Sequence, residues 1–145
     1  MKKIFTLLCI AVVAALACSC DDSLVINEDK LPEQAREFIA LYFPDATVIR
    51  AVRDRDDGTE TYDVRLSDGT ELEFTKHGQW KSVDCGADPV PDGIVPASIV
   101  TYVTVNYPEE TIVAIKQYSR GYEAVLSNLT ELEFDQTGEF IRVDR

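Results

Sequence analysis

The residue types most able to perform chemistry are sparse in this chain of 145 residues. His77 is the only histidine, and it stands beside Gly78 in a segment typical of a turn. A catalytic or zinc-binding histidine needs convergent partners held in one geometry. No serine, cysteine or acid lies at a motif spacing from His77, so we expect it to have neither role.

The four cysteines are also poor candidates for chemistry. Cys9 and Cys18 belong to the apolar N-terminal segment, which leaves Cys20 and Cys85. A disulfide framework is therefore excluded if Cys20 is modified, and the domain must be held by its apolar core. We predict that Cys85 is a small buried or linker residue rather than a nucleophile.

Paired glutamates occur twice, as Glu71 with Glu73 and as Glu131 with Glu133. Two carboxylates can act as acid and base only where their surroundings separate their pKa values. Each pair alternates with apolar residues in a strand-like pattern, which places all four side chains on one solvated face. We therefore expect surface residues with no separation of their pKa values.

An acid-rich stretch, Asp54 to Glu60, superficially resembles a calcium-binding loop. In such loops the glycine is the sixth residue and helices lie on both sides, whereas Gly58 is fifth and no helix pattern flanks it. The stretch is better interpreted as a polar hairpin tip. The sequence therefore predicts no catalytic residue, no metal site, no cofactor and no enzymatic activity.

The N-terminus has the order of a secretory signal: Lys2 and Lys3, an apolar run from Ile4 to Ala17, then small residues. The run of about 14 residues is shorter than the roughly 20 that span a bilayer. Two processing sites compete. Cleavage can precede Cys18, or Cys20 can become the lipidated first residue of a lipoprotein. Either route predicts an exported protein of the periplasm or outer membrane of a Gram-negative bacterium.

The formal net charge of −12 limits the possible partners. Nucleic acids and anionic lipid surfaces are bound by Lys and Arg that displace counterions, and this chain is poor in both residues. We expect no nucleic-acid partner and membrane contact only through a lipid anchor. A cationic or polar partner remains open, as does the oligomeric state.

Two segments of the chain resemble each other. Leu31-Pro32 recurs as Val95-Pro96, and Thr70–Phe74 recurs unchanged as Thr130–Phe134. The offset between the copies is shorter for the second match, by the length of Arg55–Gly58, and a deletion there marks that stretch as a loop tip. The predicted divisions are a signal (1–19), an acidic tether (20–30), repeat 1 (31–84), a linker (85–94) and repeat 2 (95–145).

Each repeat is predicted to contain one helix and four antiparallel strands. The first helix has apolar residues at helical spacing and ends before Pro44. Its counterpart, Ile99 to Tyr107, is rich in β-branched residues, but its apolar positions match those of the first helix. The predicted strands span residues 47–53, 61–66, 70–75, 79–83, 111–117, 122–126, 130–134 and 139–143.

The expected fold class is α+β, with the helices packed on one face of the sheet. Tyr62, Val64 and Leu66 alternate with polar residues, so one face is apolar and the other charged. Trp80 and Phe140, in the last strand of each repeat, are predicted to pack in the core. The linker is short enough for the two sheets to join edge to edge into one continuous sheet of eight strands.

With these features together, the chain resembles the PepSY-like, β-lactamase-inhibitor-like family of Bacteroidetes envelope proteins. The matching motifs are Leu31-Pro32, Phe43-Pro44, Tyr62, Leu72-Glu73-Phe74, Gly78-Gln79-Trp80 and their counterparts in repeat 2. The resemblance implies two repeats of one helix and four strands, with the helices on one face of a curved sheet. It does not imply β-lactamase inhibition, because function must be argued from a site.

The two repeats diverge on the charged face, where Arg65 is replaced by Val125 and Lys81 by Ile141. If Lys81 and Ile141 point outward, repeat 2 exposes an apolar strip rimmed by acids, and such patches bind partners. The face of Lys81 depends on a register that a slip of one residue would reverse. The predicted partner-binding residues are Asp63, Arg65, Glu71, Glu73, Glu123, Val125, Glu131, Glu133 and Ile141.

Two functions follow as hypotheses. The first is a non-enzymatic module of the cell envelope that recognises a protein or peptide through the charged face and the hairpin loops. The alternative, suggested by the resemblance alone, is a proteinaceous inhibitor of an envelope hydrolase such as a peptidase or a β-lactamase.

Overall fold

The computed structural model describes residues 23–56 and 58–144. The predicted signal and the predicted lipidation site, Cys20, lie outside these residues, as does Asp57 in the predicted hairpin tip. In chain order the elements are β1 (Leu24–Ile26), a short 3-10 helix (Glu28–Lys30), α1 (Glu33–Tyr42), β2 (Val48–Asp56), β3 (Thr59–Leu66), β4 (Glu71–Thr75), β5 (Trp80–Asp84), α2 (Ala97–Asn106), β6 (Ile112–Tyr118), β7 (Gly121–Leu126), β8 (Glu131–Asp135) and β9 (Phe140–Asp144).

The strands form one antiparallel sheet in which each strand pairs with the next along the chain. The α+β class, with two helices and an antiparallel sheet in the described residues, is confirmed. The prediction of eight strands is wrong, because the sheet has nine strands in the described residues. The additional strand is β1, whose residues Leu24, Val25 and Ile26 lie in the predicted tether and pair with β2. These apolar and β-branched residues favour an extended backbone.

Both helices begin after a proline and end before another. The residues that precede them, Pro32 and Pro96, have φ angles of −52° and −53°, which suit entry into a helix. Phe43 and Tyr107 end the helices, since the proline that follows each of them disfavours helical geometry at the preceding residue. The helix predicted from Ile99 is confirmed despite its β-branched composition.

The helices pack against one face of the sheet, which we call the inner face. The ring of Phe38 in α1 lies 5.5 Å from that of Phe74 in β4, and the ring of Tyr102 in α2 lies 5.5 Å from that of Phe134 in β8. Both contacts are edge-on, a geometry that aromatic pairs prefer. Full burial of a side chain of this size contributes about 2–3 kcal/mol. The buried residues of both helices and both halves of the sheet form one cluster.

Trp80 and Phe140 are partly buried and pack against this cluster, as predicted. Phe140 stacks on Tyr102, with ring centroids 4.4 Å apart. These two aromatic residues therefore extend the core to the ends of their strands.

Two β-bulges decide which way the last strand of each half faces. The register shifts between Glu73 and Phe74 in the β4–β5 pair, and between Glu133 and Phe134 in the β8–β9 pair. The extra residues are Lys81 and Ile141. A bulge lets two successive residues face the same side, so Lys81 and Ile141 face outward together with their neighbours.

The turn between β4 and β5 approaches α1 closely at Gly78. Its φ is +85°, and an added Cβ would lie 2.7 Å from the backbone nitrogen of Ala35. Gly69, in the turn between β3 and β4, has a similar φ of +91° but nothing within 4 Å of an added Cβ. Substitutions at the two glycines therefore distinguish two costs in stability: that of a left-handed backbone, and that of crowding α1.

We expect Gly69→Ala to destabilise the protein by about 1 kcal/mol, from backbone conformation alone. Gly78→Ala should cost about 2–4 kcal/mol, because its Cβ must also displace α1 from the sheet. Urea unfolding followed by circular dichroism measures both free energies. Equal losses for the two variants would show that the close approach of the turn to α1 does not constrain the fold.

Candidate functional site

The face of the sheet opposite the helices, which we call the outer face, carries two rows of side chains that lie opposite one another from strand to strand. The first row runs through Val52, Asp63, Glu73, Ser82, Lys116, Glu123, Glu133 and Arg142. The second row runs through Arg50, Arg65, Glu71, Asp84, Ala114, Val125, Glu131 and Asp144. All nine predicted partner-binding residues therefore lie on this face, with Ile141 at the second bulge.

Ion pairs hold several of the long side chains across the strands. Lys81 Nζ lies 2.5 Å from Glu73 Oε1, and Arg142 Nη2 lies 2.8 Å from Glu133 Oε1. Arg65 and Glu71 are farther apart, with Nη2 to Oε1 at 3.8 Å. Exposed pairs of this kind contribute little to stability. Their effect is to fix where charge stands on the outer face.

Glu123 is the most buried charged residue of this face, with 5% of its surface exposed. Alternation along β7 turns it away from the core, yet neighbouring outer-face side chains enclose it. Burial raises the pKa of Glu123 to about 7, and repulsion by Glu131 acts in the same direction. Lys116, directly opposite on β6, lowers the pKa but does not cancel these effects.

Two more carboxyl groups of the outer face hold their protons more tightly than in water. Desolvation and the charge of Glu73, directly opposite, raise the pKa of Asp63 to about 6. Desolvation and the charge of Asp144 raise the pKa of Glu131. The prediction that this face leaves the pKa of its glutamates undisturbed is therefore wrong for Glu131, because partial burial and the opposed charge of Asp144 both raise its pKa.

The predicted apolar strip of the second half is not continuous. Val125 is half-buried beside Ala114, which lies directly opposite it. Ile141 is 55% exposed, but it stands at the bulge on β9, two strands away from Val125. Glu131 and Glu133 of β8 lie between the two apolar residues. The sheet register, which the sequence did not specify, separates them.

A groove of about 580 Å³ opens where the two halves of the sheet meet. The β5–β6 pairing ends at Ser82 opposite Lys116, so the ends of these strands at Trp80 and Tyr118 diverge. The walls combine three aromatic rings with amide and ammonium groups: Phe38, Trp80, Tyr118, Gln34, Gln117 and Lys81. Burial raises the pKa of Tyr118, and the nearby charge of Glu123 raises it further.

Sequence reasoning missed this groove, since Tyr118 and Gln117 have no motif spacing to mark them. The bulge at Lys81, which ends the β5–β6 pairing, also leaves no clear sequence signal. The β6–β7 hairpin is shorter than its counterpart in the first half. This difference in the sequence indicates that Tyr118 lies near the end of a strand.

The remaining candidates have ordinary structural roles. His77 is exposed in the β4–β5 turn, and its backbone N–H donates to Thr75 Oγ1 at 3.3 Å. Cys85 is buried, as predicted, with 8% exposure, and burial raises the pKa of its thiol to about 11. In the described part of the β2–β3 hairpin, Arg55 Nη2 donates to Glu60 Oε2 at 2.8 Å.

Within residues 23–56 and 58–144, no group of three or more His, Cys, Asp and Glu side chains is placed to hold a metal ion. No helix in the same residues has the length and apolar character needed to cross a bilayer.

The raised pKa of Glu123 implies that the free energy of unfolding depends on pH. A carboxyl with a higher pKa in the folded chain favours folding below its unfolded pKa of 4.5, and this contribution is lost as the pH rises toward 7. Relative to the natural protein, Glu123→Gln should gain on the order of 2 kcal/mol between pH 5 and pH 8. Urea unfolding at several pH values measures the gain. Glu133→Gln, which breaks an ion pair, is the control and should show no gain; parallel pH profiles for the natural protein and Glu123→Gln would contradict the prediction.

Comparison with known proteins places this architecture. Residues 60–142 match the family model described as "Putative beta-lactamase-inhibitor-like, PepSY-like". No curated protein is significantly similar in sequence. A "putative periplasmic protein of unknown function" from Bacteroides vulgatus is similar in structure, with a TM-score of 0.83 and 37% identity over 85% of this chain and 99% of that one.

Two further crystal structures are similar over nearly their whole length. A "putative calcium-regulated periplasmic protein" from Bacteroides thetaiotaomicron has a TM-score of 0.82 and 38% identity, covering 86% of this chain and 98% of that one. A "putative periplasmic protein from DUF2874 family" from Bacteroides vulgatus has a TM-score of 0.83 and 37% identity, covering 88% and 100%. Neither the family description nor these three descriptions names a catalytic activity. The three similar Bacteroides proteins are described as putative periplasmic proteins, and this chain belongs to the PepSY-like family.

Proposed function

We propose that this protein is a non-enzymatic binding module of the cell envelope that recognises a cationic segment of a protein or peptide through its outer face. The groove at the β5–β6 junction and the hairpin loops beside it extend the binding surface. Lipidation at Cys20 anchors the module to a membrane, and the periplasmic descriptions of its relatives support this compartment.

The proposal rests on one observation. Carboxylates of the outer face lie directly opposite one another, and the nearby positive charges do not offset their mutual repulsion. Glu123 and Glu133 are directly opposite on β7 and β8, and Glu131 and Asp144 are directly opposite on β8 and β9. Like charges in directly opposed positions repel. A lysine or arginine side chain placed over Glu123 would relieve this repulsion and let Glu123 ionise fully.

The groove supplies the second element of a recognition site. Lys116 Nζ already lies 5.2 Å from the centre of the Tyr118 ring, which shows the geometry in which a cation is held over an aromatic face. Trp80 and Gln117 flank the same space. Aromatic surface beside hydrogen-bonding amides suits a peptide, which has both apolar side chains and backbone polar groups.

We also infer that the chain is a tandem pair of one helix-and-four-strand unit. The equivalent bulges support this inference, since β2–β3 shifts register after Val48 and β6–β7 shifts after Ile112, the matching position of the second segment. The bulges after Glu73 and Glu133 match in the same way, because both glutamates stand in the Thr-Glu-Leu-Glu-Phe string. Duplication followed by divergence explains why a symmetric scaffold has its most buried carboxylate in the second half alone.

The binding surface can be tested in intact cells. A photo-crosslinking amino acid at Val125, on the outer face, should capture a saturable partner, and the same residue at Glu37 on the exposed side of α1 should not. The captured partner should then bind the purified chain, and Glu131→Lys should weaken its binding about tenfold. Capture at both positions, or unchanged binding by Glu131→Lys, would contradict the assignment of the outer face.

The pH dependence of this binding distinguishes a cationic partner from an apolar one. A bound cation lowers the pKa of Glu123, so affinity should rise by about tenfold between pH 5 and pH 8, or one factor of ten per unit of pKa change. In Glu123→Gln the rise should largely disappear. A captured hydrolase that loses activity on binding would instead support the inhibitor hypothesis, which the wording of the family description suggests.

Lipid attachment has its own test. Cells fed an alkyne-labelled fatty acid should incorporate the label into the natural chain and not into Cys20→Ala. Cys18→Ala is the matched control and should keep the label. Labelling of Cys20→Ala, or cleavage before Cys18 in the natural chain, would show that processing follows the other route.

A further inference from the structure

The first and last strands of the sheet differ in how their edges are covered. β1 contributes three residues to the edge of β2. In the described residues no strand pairs with the outer edge of β9. An open strand edge is a template for another strand. A further strand can therefore add to the edge of β9.

The junction inside the molecule provides a template for such a contact. β5 pairs with β6 through Ser82–Lys116, Val83–Ile115 and Asp84–Ala114, directly after the bulge at Lys81. β9 has the same form: Arg142, Val143 and Asp144 follow the bulge at Ile141. The three residues at the open edge of β9 therefore correspond to the three residues of β5 that pair with β6.

The edge of β2 corresponds to the edge of β6. Ala51 and Ile115 occupy matching positions after the two bulges, and Ile26 pairs with Ala51 where Val83 pairs with Ile115. β1 therefore takes the position on β2 that β5 takes on β6, in the same register. Ile26, the counterpart of Val83, is only partly buried against the core, and the other two residues of β1 are exposed, Leu24 by 52% and Val25 by 61%.

β2 also exposes an apolar residue beyond the reach of β1. Ile49 stands at its bulge and is 61% exposed, whereas Val113, at the matching bulge of β6, is 4% exposed. The chain after β5 continues along β6 at this point, since the N–H of Cys85 donates to the Val113 carbonyl oxygen at 2.9 Å. In the described residues the pairing of β1 with β2 ends at Ala51 and does not reach Ile49.

The two ends of the sheet carry charges of opposite sign. Arg50 and Arg65 are directly opposite each other on β2 and β3, and Glu131 and Asp144 are directly opposite on β8 and β9. Each arrangement places like charges together, which is unfavourable. If β9 joined β2 in the β5–β6 register, Asp144 would lie opposite Arg50, and both repulsions would be relieved.

We propose that a second copy of this chain docks head to tail, with β9 of one copy pairing with β2 of the next and displacing β1. The pairs are Arg142 with Val52, Val143 with Ala51, and Asp144 with Arg50. Such a contact joins two different surfaces and leaves one of each free at the ends, so it extends into open chains rather than closing as a dimer. In a single copy, β1 protects the edge of β2.

Cysteine crosslinking in the full chain, expressed with its own N-terminus in a Gram-negative host, tests the register. Seven strand spacings of about 4.8 Å place positions 50 and 144 roughly 34 Å apart within one molecule, far beyond disulfide reach. Arg50→Cys combined with Asp144→Cys should therefore give a ladder of covalent dimers, trimers and larger species on oxidation. Each single variant controls for the native cysteines and should give no ladder, and Arg50→Cys with Arg142→Cys, two residues out of register, should give at least fivefold less.

A second pair of variants keeps the test independent of cysteine chemistry. In sedimentation of the full chain in mild detergent, Asp144→Arg should weaken association about fivefold, and adding Arg50→Asp should restore it. Oxidised Val25→Cys with Val52→Cys, which fixes β1 on β2, should weaken association at least tenfold, and reduction should reverse the effect. Any of four results would overturn the proposal. The chain could remain monomeric, or form dimers without larger species. The crosslinking yields could be equal in and out of register, or fixing β1 on β2 could leave association unchanged.

Discussion

The short pairing between β5 and β6 is the interaction on which the rest of the structure depends. Val83 and Ile115 face each other there on the inner face, with 0% and 1% exposure, and they connect the core under α1 to the core under α2. The chain after β5 continues the contact, since the N–H of Val90 donates to the Ile112 carbonyl oxygen at 2.8 Å. Without these contacts each half would be a small sheet with one helix, whose core would give only marginal stability.

The same pairing determines the surface chemistry. Because it stops at the bulge, the strands diverge beyond Ser82 and Lys116 and the groove opens between their ends. Because it aligns the strands, Lys116 of the second half stands between Ser82 of the first half and Glu123. The two outer-face rows therefore continue across the boundary between the halves, through Ser82 and Lys116 in the first row and Asp84 and Ala114 in the second. A junction that favours folding thus also creates the groove and joins the outer faces of the two halves.

The sequence predicted the larger features because alternation and repetition report burial directly. Tyr62, Val64 and Leu66 alternate with polar residues, and they are buried as this pattern requires. The three-residue strand β1 was missed, since so short a segment has no measurable period. The burial of Glu123 was missed because it depends on side chains of other strands, and their positions follow from the register. The predicted apolar strip does not form because β8, with Glu131 and Glu133, lies between Val125 on β7 and Ile141 on β9.

The second helix shows how burial can outweigh local preference. Six of the ten residues of α2 are β-branched, and each costs roughly 0.5 kcal/mol relative to alanine in a helix, or about 3 kcal/mol together. Ile99 and Val103, one turn apart, are 0% and 4% exposed, and burial of two such side chains contributes about 4 kcal/mol. Tyr102 adds its contact with Phe134. In a strand, Ile99 and Val103 would share a face but stand about 13 Å apart, and Tyr102 would point to the opposite face, so only a helix brings the three side chains together over the sheet. The spacing of the buried positions, rather than the composition of the segment, therefore makes α2 a helix.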